Sequence, residues 1–348
     1  MQVGGRVLGK GAYGCTLDPA PYCQGGPVFK NSVAKLPMVG KVVAEDREDV
    51  LQEITMGKKI MALSVLASNY FAVPTEECEP KLSLQNANAR ECSIIEKELK
   101  KAKERGVPSR LSMMMMPMAG ETFSKWSSDM GRFYELYEKT FVHLLEGMVL
   151  YQRAGYIHND IHGANILVDA KNVARYIDFG RAFNVKDALT LASVHLGKTF
   201  APSYMLYSPE LHLMEVILEG KLSLEQGLDG LVDAQYKYYD ALAHHFLRPD
   251  IRSMRTWRPI LAGLEGMDER GILEFVRKYA TRFDSWRLGI LMWLGWYDLL
   301  RNGKKMKPVF RSVLDGLTKF DVRERWSAER ALQELSPKNP LLSLALVR

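Results

Sequence analysis

The apolar pattern of this chain changes once, near residue 130, and that change limits how its 348 residues can fold. Before it, short apolar segments such as RVLG, CTL and SVAKL are separated by glycine and proline, which is typical of strands and turns. After it, long amphipathic segments such as FYELYEKTFVHLLEGMVLYQRAG indicate helices. The order predicts an α+β protein with two lobes, a β-rich N-lobe and an α-helical C-lobe, and a cleft between them.

Two helices and a buried strand are predicted inside the strand-rich part. Residues 44–63 repeat apolar side chains at helical spacing, with acidic residues in the first turns, where the helix dipole favours them. The segment IIEKELKKAKERG carries both signs of charge, as solvent-exposed helices do, and it ends at Gly106. The methionine run over 113–116 is predicted to be core strand and hinge, since flexible thioether side chains fill irregular space well.

A glycine-rich stretch lies between the first two strand-like segments. Gly9, Gly11 and Gly14 are spaced as G-x-G-x-x-G, so the backbone could approach phosphate oxygens and donate N–H groups to them. In a dinucleotide-binding fold this pattern would open a helix, but the CTLDPAPYC that follows is not helical in pattern. Taken alone, the stretch leaves an ordinary glycine hairpin open.

A lysine and a carboxylate follow the glycines. Lys35 closes a V-A-K stretch on a strand about twenty residues further on, where its ammonium could reach the phosphates of a nucleotide under the glycine loop. It needs a carboxylate to hold it, and the helix over 44–63 offers Glu53 and Glu48. We prefer Glu53, because it lies in the middle of that helix beside the core-facing Ile54.

The stretch HNDIHGANILVD, residues 158–169, carries the polar residues of a catalytic loop. Asp160 could accept a proton from an attacking hydroxyl, and Asn165 could hold a magnesium ion that bridges phosphates. Asp178 opens a D-F-G eighteen residues after Asp160 and is suited to be a second magnesium ligand, since that ion prefers hard oxygen donors.

In this order, the glycine-rich stretch, V-A-K, H-x-D-x-x-x-x-N and D-F-G resemble the motifs of the eukaryotic-type protein kinase family. Later segments extend the resemblance over nearly the whole chain. Tyr207-Ser208-Pro209-Glu210 resembles the A-P-E that closes the activation segment, and DSWRLG at 284–289 resembles the D-x-W-x-x-G of the central C-lobe helix. Arg325 resembles the late arginine that pairs with the A-P-E glutamate.

The resemblance implies transfer of the ATP γ-phosphate, assisted by Mg²⁺, to serine or threonine hydroxyls of proteins. It implies Asp160, Lys35, His162 and Asn165 as catalytic residues, and Asn165 and Asp178 as metal ligands. The residues that it implies at ATP are Leu8, Gly9, Lys10, Gly11, Ala12, Tyr13, Gly14, Cys15, Thr16, Ala34, Lys35, Glu53, Met116 and Met118.

The resemblance also divides the chain. It implies an N-lobe over 1–116, with an insertion near 69–110, and a C-lobe over 117–348, with an insertion near 211–283. A narrower similarity, to divergent kinases encoded by large DNA viruses, rests on GAYGCTLDPAPYC and on the first insertion. It implies virion or host proteins as partners and the host cytoplasm or the virion as the location.

Three departures from the family pattern bear on activity. Asn159 replaces the arginine that pairs with an activation-loop phosphate, so activity is expected not to require that phosphorylation. His162 replaces the lysine that contacts the transferring phosphate, which weakens one electrostatic contribution. Gly57 stands one turn after Glu53 in place of a bulky apolar residue, and this is expected to loosen the helix.

These departures leave two alternatives open. One is a pseudokinase that serves as a structural or binding module, although the residues that hold metal and hydroxyl are present. The other is a small-molecule phosphotransferase of the aminoglycoside or choline kinase type, whose catalytic loop has the same H-x-D-x-H-x-x-N pattern. The intact D-F-G, S-P-E and D-x-W-x-x-G favour the protein kinase.

Composition limits the partners and the compartment. The net charge of +6 favours acidic or phosphorylated protein partners but falls short of a dedicated nucleic-acid binder. The longest apolar run, 288–296, is too short to span a bilayer, so no membrane insertion is expected. The four cysteines fit no common zinc pattern and predict reduced thiols in an intracellular, cytoplasmic protein, with a local link between Cys78 and Cys92 as a less favoured possibility.

Overall fold

A computed structural model of the chain describes residues 6–11, 14–25, 38–44, 47–86, 90–194, 204, 206–230 and 260–343. The chain forms two compact units. The N-terminal unit comprises Met1–Gly120 together with Arg175–Gly180, and the C-terminal unit comprises Glu121–Ala174 and Arg181–Arg348. The first unit contains an antiparallel sheet and the second is largely helical, so the α+β class predicted from the sequence is confirmed.

The N-terminal unit is built on five antiparallel strands in the order β1-β2-β3-β5-β4. The strands are β1 (Arg6–Lys10), β2 (Gly14–Asp18), β3 (Met38–Val43), β4 (Glu76–Cys78) and β5 (Ser112–Pro117). Its helices are α1 (Arg47–Met61), α2 (Ala67–Tyr70) and α3 (Ser93–Arg105). The predicted helix over 44–63 is thus found as α1, and the predicted surface helix as α3, which Gly106 ends with a left-handed φ of 65°.

The methionine strand β5 packs its two faces against different helices. Met113 and Met115 lie in a core with Ile95 and Leu99 of α3, whereas Met114 lies in a second core with Val50 and Ile54 of α1. Successive side chains of a strand point to opposite faces, so one run of methionines serves both layers. Met113 to Met116 are all buried, as predicted for a core strand.

The C-terminal unit begins with short elements around the predicted catalytic loop. They are β6 (Glu121–Thr122), α4 (Phe123–Ser128), α5 (Met130–Arg153), β7 (Tyr156–Ile157), β8 (Ile166–Val168), β9 (Ala174–Tyr176), whose last two residues belong to the N-terminal unit, and β10 (Phe183–Asn184). Strand β6 pairs with β8, and β10 pairs with β7. The predicted long helix is found as α5, and Gly155 follows it with a φ of 83°.

Longer helices complete this unit. They are α6 (Pro209–Glu219), α7 (Glu269–Arg301), α8 (Pro308–Leu317), α9 (Ala328–Leu335) and α10 (Pro340–Ser343). Tyr137 on α5 makes edge contacts at 4.6 Å between ring centroids with both Trp296 of α7 and Phe310 of α8, so aromatic packing joins three helices. Much of the second predicted insertion, residues 231–259, lies outside the described residues.

The cysteines correct the prediction of reduced thiols. Cys15 of β2 is bonded to Cys92 at the start of α3, with Cα atoms 6.3 Å apart, and Cys23 is bonded to Cys78 of β4, with Cα atoms 5.6 Å apart. Cys78 and Cys92 are therefore not linked to each other. The sequence did not indicate these disulfides, because the bonded cysteines lie 77 and 55 residues apart and only folding brings them together.

These bonds bear on the compartment. Disulfides are rare where thiols are kept reduced, so they count against the cytoplasmic location, which stays a prediction. In the ranges that the structure covers, no helix combines the length and the apolar character needed to cross a bilayer.

Candidate active site

The N-terminal unit holds a lysine between two carboxylates. Lys41 of β3 places its Nζ 3.0 Å from both carboxylate oxygens of Glu53 and 3.3 Å from Oδ2 of Asp178. Lys41 and Val43 are two residues apart on one strand, so both side chains are on the face that packs against α1, where Glu53 stands. Glu53 is buried, and its preference over Glu48 as the partner of a strand lysine agrees with this geometry.

The charge of Lys41 is stabilised by its neighbours. Burial by itself works to lower the pKa of Lys41, but the carboxylates of Glu53 and Asp178 outweigh it and raise that pKa above its ordinary value. Lys41 is therefore an ammonium at neutral pH. Of the two carboxylates that contact Lys41, that of Asp178 is more exposed than that of Glu53. The Asp178 carboxylate is therefore accessible to a further ligand.

The sequence prediction gave the phosphate-binding role to Lys35 and did not consider Lys41. Lys35 and Ala34 lie outside the described residues, so the structure says nothing of their surroundings. Both lysines end a V-x-K stretch, V-A-K and V-G-K, and the pattern cannot separate them. Val42 and Val43 continue the strand after Lys41 toward the helix that carries Glu53, and the packing of α1 on β3 brings Glu53 to Lys41.

The glycine-rich stretch forms a hairpin between β1 and β2. Gly11 donates its N–H to the carbonyl of Gly14 at 2.8 Å, and Leu8, Gly9, Lys10 and Gly11 are exposed or nearly so. A Cβ on Gly14 would lie 2.0 Å from the carbonyl oxygen of Val42, so close packing of β2 on β3 requires glycine there. Ala12 and Tyr13 lie outside the described residues.

The next two residues of β2 point to opposite sides of the sheet. Cys15 is buried in the α3 core and bonded to Cys92, so its side chain is not available to a ligand. Thr16 is directly opposite Lys41 in the β2–β3 register, and such partners share a face. Of the two predicted ligand contacts, Thr16 is the one placed beside the lysine.

The D-F-G segment is fixed by aromatic packing. Asp178 has a φ of 60°, a conformation that non-glycine residues seldom adopt. The buried ring of Phe179 makes an edge contact with Phe71 at 5.8 Å.

The packing around α1 explains why position 57 is a glycine, and the sequence did not suggest this explanation. A Cβ there would lie 2.2 Å from the carbonyl oxygen of Pro74. The glycine thus allows close packing of α1 rather than simply loosening the helix.

Met116 and Met118 occupy the end of β5 and the residues after it. Met116 is buried and pairs with Val39 in the β3–β5 register, and Met118 is partly buried. Both belong to the N-terminal unit. Their predicted contact with adenine stays a prediction.

In the C-terminal unit, the predicted catalytic loop is held together by its own polar groups. Asn165 donates from Nδ2 to the main-chain oxygen of Asp160 at 2.9 Å and to its Oδ2 at 3.2 Å. His162 accepts the N–H of Ala164 through Nδ1 at 3.2 Å, so its ring proton is on Nε2, which lies 3.8 Å from Oδ2 of Asp160. The loop thus brings the side chains of Asp160, His162 and Asn165 together.

A buried aspartate anchors this loop. Asp284 of α7 accepts the N–H of His158 at 2.8 Å, the N–H of Asn159 at 3.0 Å and the hydroxyl of Tyr151 at 2.9 Å. Asn159 has a φ of 60°, which asparagine tolerates better than most residues, and its Nδ2 donates to the carbonyl of Val194 at 3.0 Å. Asn159 thus joins this loop to Val194 through an uncharged side chain.

The A-P-E-like segment is joined to the end of the chain by a buried ion pair. Arg325 donates to both carboxylate oxygens of Glu210, at 2.6 and 3.0 Å, and the two residues are fully buried. Arg325 also donates to the carbonyls of Lys319, Phe320 and Arg282, so its three remaining N–H groups are satisfied. This pairing is the one that the resemblance implied.

The side-chain oxygens of Asn165 and Asp178 are of the type that binds magnesium, the predicted cation. The amide nitrogen of Asn165 is used by Asp160, which leaves its carbonyl oxygen for a ligand, and Asp178 supplies a carboxylate. Both are hard oxygen donors of the type that magnesium takes. Among the described residues, no group of three or more His, Cys, Asp or Glu is placed to hold a metal ion.

Comparison with known proteins does not assign a family. No family model matches the chain, and no curated protein matches it either.

Proposed function

We propose that this protein is an ATP-dependent protein kinase that phosphorylates serine or threonine hydroxyls, with the two-lobed fold of that family. The observation that carries the proposal is the lysine of β3 held by a glutamate of α1 and by the aspartate that opens D-F-G. A nucleoside triphosphate needs a fixed cation at its phosphates, and the ammonium of a lysine oriented by two carboxylates is such a cation.

In the proposed reaction, Lys41 binds the α- and β-phosphates and Glu53 keeps its ammonium in place. The exposed hairpin of Gly9 and Gly11 covers the phosphates, and the glycines let its backbone approach them closely. Asp178 and Asn165 would hold magnesium, which neutralises the charge of the phosphates when it is bound. Lys41 takes over the part that was given to Lys35 in the sequence.

The hydroxyl of the substrate is handled by the catalytic loop. Asp160 orients it and accepts its proton as the hydroxyl oxygen bonds to the γ-phosphorus and the bond from that phosphorus to the β–γ bridging oxygen breaks, which releases ADP. His162 presents its Nε2–H on the same side as the Asp160 carboxylate and can donate a hydrogen bond to the transferring phosphoryl group. A neutral donor supplies less stabilisation than an ammonium, so the expected enzyme is slower than one with lysine at this position.

The proposal is tested by incubating the full chain with labelled ATP, magnesium and a mixed protein substrate, beside Asp178→Asn. Label on protein serine or threonine that Asp178→Asn does not produce is the expected result. Label transfer to small alcohols alone would replace the proposal with a small-molecule phosphotransferase. ATP binding without any transfer would leave a pseudokinase.

A further inference from the structure

The positive charge of this chain is concentrated in one segment. Residues 301–330 contain nine Lys and Arg and four Asp and Glu, so they hold +5 of the chain's net +6. Part of this charge is satisfied internally: Arg325 pairs with Glu210, Arg323 with Asp321 and Lys307 with Glu138. The remaining cations include three that converge on one concavity.

That concavity is a pocket of about 450 Å³ between α8 and α9. Six of its lining residues are Arg311, Ser312, Asp315, Lys319, Trp326 and Arg330. Arg311 is only loosely paired, 3.9 Å from Asp315, and Lys319 contacts the exposed Glu324 at 3.2 Å. Within the described part of the chain, no carboxylate pairs with Arg330. The pocket therefore presents more positive charge than its own acids neutralise.

Trp326 positions the guanidinium of Arg330 at the pocket. The guanidinium carbon of Arg330 lies 4.2 Å from the centroid of the Trp326 ring, a cation–π contact that orients its N–H groups. Gly316 packs so closely on this ring that a Cβ would lie 2.3 Å from a ring carbon. The ring is thus already covered by Gly316 and Arg330, which argues against a nucleic-acid base stacking on it.

We infer that this pocket, defined by Arg311, Lys319, Trp326 and Arg330, binds an acidic segment of a protein, with a carboxylate or phosphate group held by Arg330 and Arg311. Guanidinium groups match the geometry of both anions, and the charge excess of the surrounding segment would attract such a partner at long range. The inference that this acidic segment belongs to a substrate rests on the proposed kinase function. The inference that the pocket binds an acidic segment does not.

Binding is measured by fluorescence anisotropy of labelled twelve-residue peptides with the full-length protein. One peptide carries glutamates, a second carries phosphoserine, and a third has glutamine at every acidic position. The acidic peptides are expected to bind, and the glutamine peptide to bind at least about tenfold more weakly. Equal binding of all three would overturn the inference.

Two double variants separate the pocket from general charge. Arg311→Gln with Arg330→Gln is expected to weaken acidic-peptide binding at least about tenfold, and Lys304→Gln with Lys305→Gln less than about threefold, since the second pair loses the same charge from the same segment outside the pocket. Equal loss in both would reduce the site to non-specific attraction. Tighter binding of a single-stranded oligonucleotide than of either acidic peptide, lost in the first variant, would reassign the pocket to nucleic acid.

A kinetic measurement tests the pocket and the kinase function separately. With a protein substrate that carries an acidic tail, Arg311→Gln with Arg330→Gln is expected to raise KM with kcat unchanged, and peptide binding is expected to persist in Asp178→Asn. Phosphate transfer without peptide binding contradicts the pocket alone. Peptide binding without phosphate transfer contradicts the kinase function alone.

Discussion

At the scale of single residues, the proposed function assigns phosphate binding to Lys41 rather than to Lys35. Lys41→Ala should lower the rate of phosphate transfer by about 10²-fold or more, because it removes a fixed positive charge from the reacting phosphates. Lys35→Ala is the matched control, and it should change the rate far less. Steady-state kinetics with labelled ATP measure both. Loss of activity in Lys35→Ala with Lys41→Ala unaffected would return the role to the V-A-K lysine.

A buried glutamate makes stability depend on pH. Burial raises the pKa of Glu215 to about 7, against the opposing effect of Arg181 and Arg287, and no described residue donates a hydrogen bond to its Oε2. The folded state therefore binds a proton that the unfolded state releases near pH 4.5, the ordinary value for this carboxyl. The contribution of Glu215 to stability is present below pH 4.5 and is lost as the pH rises to about 7.

Glu215→Gln should thus be more stable than the parent at pH 8, on the order of 2 kcal/mol, with the difference shrinking toward pH 4.5. Urea unfolding of both proteins across this range measures the effect. The comparison is made between variants because His212, whose pKa burial lowers to about 4, makes stability change in the opposite sense below pH 6.5. A difference that does not vary with pH would contradict the account.

At the scale of elements, a buried ion pair joins α6 to the segment before α9. Arg325→Met leaves the Glu210 carboxylate buried without a partner and should cost about 3–5 kcal/mol of unfolding free energy. Arg323→Gln is a close control, since the Arg323 side chain is exposed and its pair with Asp321 should be worth less than about 1 kcal/mol. Denaturant unfolding distinguishes the two. Similar small losses in both would mean that the Glu210 pair does not support the fold.

At the scale of the whole molecule, covalent cross-links are unevenly distributed. All four cysteines belong to the N-terminal unit, where the two disulfides tie β2 and the residues after it to α3 and β4. Closing loops of 77 and 55 residues should stabilise this unit by about 4 kcal/mol per bond on the chain-entropy account. A reductant should therefore act on one unit and not on the other.

Hydrogen exchange followed by mass spectrometry, with and without dithiothreitol, tests this expectation. Exchange should rise in the strands β2, β4 and β5 and stay unchanged in α5 and α7. Cys15→Ala with Cys92→Ala should reproduce part of the rise without reductant. Equal acceleration in both units would show that the disulfides support the whole chain, and no change would show that they contribute little.

The sequence by itself determined the α+β class of the fold and supplied most of the polar residues of the candidate site. Apolar periodicity marked α1, α3, α5 and the methionine strand, because burial on one face imposes a local repeat. Short-range motifs located Asp160, His162, Asn165 and Asp178, because their spacing along the chain is set by one loop or one turn.

Tertiary structure decided what depends on contacts between distant residues. The choice of Lys41, the pairing of Cys15 with Cys92 and the need for glycine at position 57 each depend on a partner that local patterning does not specify. Two V-x-K stretches look alike until the register of β3 on β2 and the approach of α1 select one. The physical reason is that periodicity and spacing report local geometry, whereas ion pairs, disulfides and close backbone contacts form only when strands and helices pack.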